Sequence, residues 1–291
     1  MNSNSYHNQL IPLIQGTKVS SISKTSLKDT VLLYPKSTEE QALISESFTK
    51  LNNLIILNEH KLEKLKALKK AYLSQMFPSE GECKPKLRFA GFNDEWEQHK
   101  LMSSVTKVID FRGRTPKKLG LDWSESGYLA LSALNVKNGY IDPTIDAHYG
   151  NQELYDKWMS GNELHKGQVL FTTEAPMGNV AQIPDCKRYI LSQRTIAFEV
   201  NENVILENYL AVALRNPFVF EKLTTLSSGG TAKGVSQKSL AEITIQVPKD
   251  LNEQKIISDF FRKIDNLITL HQRKLEKLQN LKKAYLNEMF V

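Results

Sequence analysis

"KLEKLKALKKAYLSQMF", residues 61–77, returns as "KLEKLQNLKKAYLNEMF", residues 274–290. The echo extends upstream: residues 22–77 and 235–290 align without a gap and are identical at about half of their positions. A repeat of that length is duplicated architecture. Each copy carries the same parts in the same order. A short β-like run comes first, TVLLYP at 30–35 and ITIQVP at 243–248, ending in a proline that blocks earlier helix, Pro35 or Pro248. A capping box follows, Ser37 with Glu40 and Asp250 with Glu253, and then a long helix. The first helix is expected to stop at Phe77-Pro78 and the second at the chain end. Some forty residues rising 1.5 Å each make a rod of about 60 Å.

The seam of each rod alternates spacings of four and three. In the first copy it runs Ile44, Phe48, Leu51, Ile55, Asn58, Leu62, Leu65, Lys69, Tyr72 and Met76. In the second it runs Ile257, Phe261, Ile264, Ile268, His271, Leu275, Leu278, Lys282, Tyr285 and Met289. This is a heptad pattern, the signature of a coiled coil. Asn58 and His271 occupy the same seam position, where a polar group lowers stability but fixes register. His271 reads as a partly exposed seam residue, not a ligand. Leu54, Leu57 and Leu68, repeated as Leu267, Leu270 and Leu281, lie off the line and widen the apolar face toward more than one neighbour. Two rods of matching length pack on each other, antiparallel if the intervening chain returns to its start, or on a partner's helices, or both.

Bulk properties set few limits. The chain has 291 residues, 41% apolar and 24% charged, with a formal charge of +6. That allows one or two domains and suits a polyanion partner without requiring one. Cys83 and Cys186 are far apart and in no metal-binding spacing, which fits free thiols in a reducing compartment. The six histidines are scattered singly, so no metal site is visible. There is no signal-peptide pattern at the N-terminus and no apolar run long enough to cross a membrane, so a cytoplasmic location is expected.

Residues 85–250 have no heptads. Strand-like runs (GYLALSAL, GQVLFTT, RTIAFEV) alternate with loops and a helix near ENYLAVALRNPFVFEKL. The reading is a mixed α/β domain, entered through the linker PSEGECKPKLRFAGF and closed by EITIQVP. Its loops are basic. DFRGRTPKKLG sets Arg112, Arg114, Lys117 and Lys118 around Gly113 and Pro116, a composition suited to phosphates and to guanine edges as well as to a solvated turn. SALNVKNGY adds Asn135, Lys137 and Asn138; Asn pairs with adenine, but Asn-Gly also simply forms turns. Lys233 lies in the glycine-rich SSGGTAKGVSQKSL, a phosphate-approach loop or a connector. Arg194 in SQRTIAF is either DNA-facing or a structural ion pair along a strand. These eight, Arg112, Arg114, Lys117, Lys118, Asn135, Lys137, Arg194 and Lys233, are the candidate DNA-facing residues, chosen by chemistry and loop position.

Nothing argues for catalysis. GGTAKGVS (229–236) has Val235 where a phosphate-binding loop needs Lys. NPFV (216–219) lacks the second proline of an amino-methyltransferase loop and reads as a helix end or kink. PDCK (184–187) lacks the second acidic residue of a nuclease motif. No nucleophile–base arrangement has convincing spacing.

The whole chain resembles the specificity (S) subunit of Type I restriction-modification systems. The resemblance rests on RGRTP (112–116), LHKGQVLFTTEAPMGNVAQIP (164–184), ILSQRTIAFEV (190–200), GGTAKGVSQKSLAEITIQVP (229–248), the EQ that opens each rod (40–41, 253–254) and the twin LKKAYL segments. No segment is strong alone; their order is specific. The resemblance implies two target recognition domains, each followed by a long helix, with the helices packed antiparallel. Each domain then reads half of a split DNA target. It also implies a non-catalytic chain without cofactors of its own. Modification (M) subunits dock on the helices and carry S-adenosylmethionine and the methyltransferase site. Restriction (R) subunits add ATP- and Mg-dependent translocation and cleavage.

The sequence departs from that pattern at its front. Residues 15–35, QGTKVSSISKTSLKDTVLLYP, fall on 228–248, so only the end of a first recognition domain is present. The expected organisation is a remnant at 1–34, a first long helix at 35–78, a complete recognition domain at 79–250 and a second long helix at 251–291. Self-pairing is one way such a chain could complete a bipartite reader. The competing classes are a coiled-coil assembly protein whose central domain binds protein, and an intrinsic methyltransferase or nuclease.

Overall fold

The computed structural model describes residues 4–15, 21–31, 34–227 and 234–289. The chain divides into two compact units, Met1–Ala67 with Asn266–Val291, and Leu68–Asp265. Two helices pass through both: α3 (Thr38–Gln75) and α8 (Leu251–Glu288), each of 38 residues. At 1.5 Å per residue each is about 57 Å long.

Both helices keep their caps, but among the described residues neither capping-box carboxylate bonds back to its cap. Ser37 Oγ accepts from the Glu40 amide at 3.3 Å, and Asp250 Oδ1 accepts from the Asn252 amide at 2.7 Å. The EQ glutamine makes the same bond twice: Gln41 Nε2 donates to the Pro35 carbonyl at 2.7 Å, and Gln254 Nε2 to that of Pro248 at 2.9 Å. The capping-box carboxylate of the second copy does not close back on Asp250. Glu253 is buried and binds Arg88 and the Trp96 indole instead.

In the unit built from 1–67 and 266–291, the heptad seam is the covered line. Leu51, Ile55, Asn58 and Leu62 are buried. Ile268, His271, Leu275, Leu278 and Lys282 are partly covered, whereas Tyr285 and Met289 are exposed. The off-line leucines of this unit, Leu54, Leu57, Leu267, Leu270 and Leu281, are exposed. Upstream lie α1 (Asn4–Leu10) and the single turn α2 (Lys24–Leu27). Ser23 caps α2 by accepting from the Ser26 amide at 3.0 Å. In the expected strand TVLLYP, Thr30, Val31 and Tyr34 are coil, and Leu32 and Leu33 lie outside the described residues. A strand needs a ladder partner, and among the described residues none pairs with this run.

The unit Leu68–Asp265 holds the α/β domain. Its widest sheet has strand order β2-β10-β7-β8: β2 (Val105–Asp110), β10 (Thr195–Val200), β7 (Val169–Thr172) and β8 (Val180–Gln182), all antiparallel. The apolar runs read from the sequence become the central strands β7 and β10, buried on both faces because core lies on each side. A second sheet orders β6 (Tyr149–Gly150), β3 (Tyr128–Leu131) and β9 (Ile190–Leu191). The hairpin β4 (Val136–Lys137) and β5 (Tyr140–Ile141) turns at Asn138-Gly139, where Gly139 has φ 98°. β11 (Thr244–Val247), the second β-like run, pairs antiparallel with β1 (Glu97–Lys100).

The domain's helices are α4 (Gln152–Met159), α5 (Glu207–Ala213), α6 (Pro217–Leu226) and α7 (Gln237–Ala241). The single helix expected near 207–223 is two. The first ends at Ala213 with Leu214 as its cap, and the Asn216 side chain accepts from the Phe218 amide to cap the second, with Pro217 at the first position. Ser236 caps α7 as Ser23 caps α2, the Ser239 amide donating at 3.0 Å.

Two apolar cores result. One joins α5, α6 and the inner faces of β7 and β10 to Leu73, Met76 and Phe77 at the end of α3 and to Ile257 and Phe261 on α8. The other gathers α4 with β3, β9 and the opposite face of the wide sheet around Trp158, whose indole donates to the Leu191 carbonyl at 2.7 Å. Beside the first core, Asp265 on α8 binds Lys69 of α3 at 2.6 Å and Arg215 of the α5–α6 turn at 2.6 Å. Burial, and then the neighbouring Arg215, hold the Lys69 ammonium below its usual value, against the pull of Asp265. Cys83 and Cys186 are free and exposed. Among the described residues, no helix is long and apolar enough to cross a membrane.

Candidate nucleic-acid interface

The basic loop begins where β2 ends. Asp110 is the last residue of that strand, and its carboxylate collects the chain that follows. It accepts from the Arg112 amide at 3.0 Å, from Arg112 Nε and Nη2 at 2.8 and 2.5 Å, and from Gln237 Nε2 at 2.8 Å. Burial pushes the Asp110 carboxyl up, but the hydrogen bonds from Arg112 and Gln237 outweigh it and hold the group below its usual value. Arg112 Nη1 also donates to the Val235 carbonyl at 3.3 Å.

Arg114 lies over the Phe111 ring, 4.2 Å from its centroid, and donates to the Trp158 carbonyl. Gln193 donates to the Arg114 carbonyl. Lys117 and Lys118 begin a short 3-10 turn ending at Gly120, whose φ of 73° suits glycine. Both are exposed. Lys118 Nζ donates to the Gly113 carbonyl at 2.7 Å, which ties the turn to its own loop. Among the described residues, no carboxylate pairs with either lysine.

Arg194 sits in the turn before β10, not along the strand, and its Nε binds Glu174 Oε1 at 2.9 Å. Glu174 also bridges Gly234, and Val235 donates to the Thr173 carbonyl at 2.9 Å. These links place Arg112, Arg114 and Arg194 on one edge of the domain, with Lys117 and Lys118 on the same loop as the first two. Lys233 lies outside the described residues.

The other two candidates are wholly or partly buried. Asn135 is fully buried: its Oδ1 accepts from the Ser132 amide at 2.9 Å and its Nδ2 donates to the Ala130 carbonyl at 2.7 Å. Its amide holds the 132–135 turn together and does not face solvent. Lys137 is half-buried on β4, in a hairpin fastened to β8 by Gly139 N to Val180 O at 2.7 Å and Asn179 Nδ2 to Val136 O at 3.0 Å. The expected Asn138-Gly139 turn is present.

Sequence reasoning overlooked Asp110, Glu174, Gln193 and Gln237, which position the arginines. Asp110 had a local signal, a carboxylate two residues before Arg112. The others come from elsewhere in the chain and had none.

A cleft of about 180 Å³ opens on this edge, lined by Ser132, Ala133, Leu134, Asp146, Ala175, Ser192, Gln193 and Arg194. Ser132 Oγ donates to Asp146 Oδ2 at 2.6 Å across it.

The family model described as "Type I restriction modification DNA specificity domain" matches residues 93–280. The chain belongs to that family. The match takes in the α/β domain, with the basic edge, and most of α8; the internal repeat relates α3 to that helix. Within the specificity family, the chain is 26% identical over 275 residues to a protein of Methanocaldococcus jannaschii provisionally named the type I restriction enzyme MjaX specificity subunit, covering 92% of this chain and 60% of that one. It is 24% identical over 282 residues to the type I restriction enzyme MjaVIII specificity subunit of the same organism, covering 94% and 64%. The chain thus spans less than two thirds of the length of these curated relatives. Its fold is similar to the S subunit of a Type-I restriction-modification system from M. genitalium, with a TM-score of 0.68, 14% identity, and coverage of 99% of this chain and 70% of that one.

Proposed function

We propose that this chain is a non-catalytic DNA sequence-recognition subunit that directs partner methyltransferase and endonuclease subunits to a specific site. The observation that carries the reading is the edge holding Arg112, Arg114, Lys117, Lys118 and Arg194, presented by a domain of the DNA specificity family. Lys117 and Lys118, without carboxylate partners among the described residues, suit phosphates; the anchored arginines suit fixed positions on the duplex. On this reading S-adenosylmethionine, ATP and Mg belong to the partners, and the complex works in the cytoplasm.

The two long helices are the scaffold of the proposal, packed antiparallel. The contact of Asn58 with His271 in one unit and of Lys69 with Asp265 in the other supports this: the number rises on α3 as it falls on α8. Methyltransferase subunits dock on the helices, a role that suits the exposed Leu54, Leu57, Leu267, Leu270 and Leu281, and restriction subunits join through the complex. A second recognition domain completes a split target. In support, Glu253, Gln254, Ile257 and Phe261 are buried, whereas their repeat counterparts Glu40 and Gln41 are exposed and Ile44 and Phe48 only partly covered.

The test is co-expression with the cognate methyltransferase subunit and mapping of methylated adenines across the host genome. A two-part motif is expected, palindromic if the second reader is another copy. Co-purification with no methylated motif, together with DNA binding indifferent to salt, would overturn the reading.

A further inference from the structure

The loops around the 180 Å³ cleft differ in chemistry from the lysine turn beside them. Asp146 lines the cleft, and Glu174 holds the guanidinium of Arg194 at its rim. Two carboxylates against one arginine make a local environment that repels a phosphodiester. A neutral base edge meets no such penalty, and its amino groups find acceptors there.

Two further features fit a base edge. Arg194 is ion-paired with Glu174, Nε to Oε1 at 2.9 Å, while its side chain stays 56% exposed. An exposed guanidinium restrained by one carboxylate still has donors to offer, and its planar fork matches guanine O6 and N7. Opposite it, Leu134 is 47% exposed on a turn that is internally locked. Ser132 Oγ accepts from the Leu134 amide at 3.2 Å, and buried Asn135 binds both the Ser132 amide and the Ala130 carbonyl. A rigid turn holding a large apolar side chain in water suits contact with a thymine methyl.

We infer that this cleft is a base-reading site in which Arg194 reads a guanine in the major groove, Glu174 positions that arginine, and Leu134 contacts the methyl of a neighbouring thymine. The inference rests on the DNA-recognition reading above.

The test is selection of randomised duplex DNA by the purified full chain and its variants, with thermal unfolding as a check on folding. Enrichment of a motif by the unaltered chain tests the parent reading; failure there removes recognition as a whole. Given a motif, Arg194→Lys, which keeps the charge but loses the fork, should lower the preference for guanine at one position by about tenfold or more. Its other positions should be unchanged. Glu174→Gln should relax the same position, and Leu134→Ala should relax only the thymine beside it. Uniform weakening at every position, or an unaltered motif from an Arg194→Lys protein that unfolds like the parent, would overturn the assignment.

Discussion

His271 donates its Nδ1 hydrogen to Asn58 Oδ1 across 3.1 Å, and the two residues hold the same position in the two copies of the repeat. The roles follow from Asn58, whose Nδ2 donates to the Leu54 carbonyl at 2.8 Å and whose Oδ1 can only accept. The sequence placed both residues on the seam; the structure makes them partners.

That pairing predicts a change of sign. Asn58→Leu alone leaves the buried side of His271 without its acceptor and should destabilise by about 1–3 kcal/mol. Asn58→Leu with His271→Leu should instead stabilise by about 1–3 kcal/mol while loosening register. Urea denaturation of the two single variants and the double measures the coupling, and light scattering reports any change in association.

Glu253 and Glu40 open equivalent helices but should behave differently on truncation. Arg88 grips Glu253 through Nε at 2.7 Å and Nη2 at 2.9 Å, and these hydrogen bonds raise the Arg88 guanidinium further above its usual value. Glu253→Ala strands Arg88 and should cost about 3–5 kcal/mol. Glu40 is exposed, so Glu40→Ala should change stability by no more than about 0.5 kcal/mol. Denaturation midpoints of the two variants make the comparison.

Asp110 should make the domain acid-sensitive. Its folded value lies below the unfolded one, because the Arg112 and Gln237 bonds overcome the upward push of burial. Such a group stabilises fully above the unfolded value of about 4, and the contribution is lost as pH falls through the folded value beneath it. Asp110→Asn should therefore be less stable than the parent at neutral pH and flatter in its dependence on pH below about 4. Stability measured from pH 7 downward checks both.

Lys117 and Lys118 should act through phosphates. Changing both to alanine should weaken binding to all sequences alike and flatten the plot of log affinity against log salt by about one unit of slope per lysine. An unchanged slope would take that turn out of the interface.

Much of the architecture was legible because its signals are local. The seam from Leu51 through Leu62 follows from a spacing within a few helical turns, and the cap at Ser37 from residues three apart. GQVLFTT and RTIAFEV read as strands, which they are. The misreadings share one cause. TVLLYP had strand composition but no strand partner among the described residues, whereas ITIQVP had β1. Asn135 had a base-pairing amide, but its own turn consumed it.

The sequence by itself determined the repeat, the two equal helices, their seam and the basic character of the loops, since each depends on residues that are near neighbours along the chain. Only the tertiary structure decided which cations are neutralised. Gln237 reaches Asp110, Glu174 meets Arg194, and Glu253 is drawn inward to Arg88. The physical reason is that a hydrogen bond or an ion pair depends on distances of a few ångströms between side chains. Folding sets those distances between residues as far apart in sequence as Asp110 and Gln237, or Arg88 and Glu253.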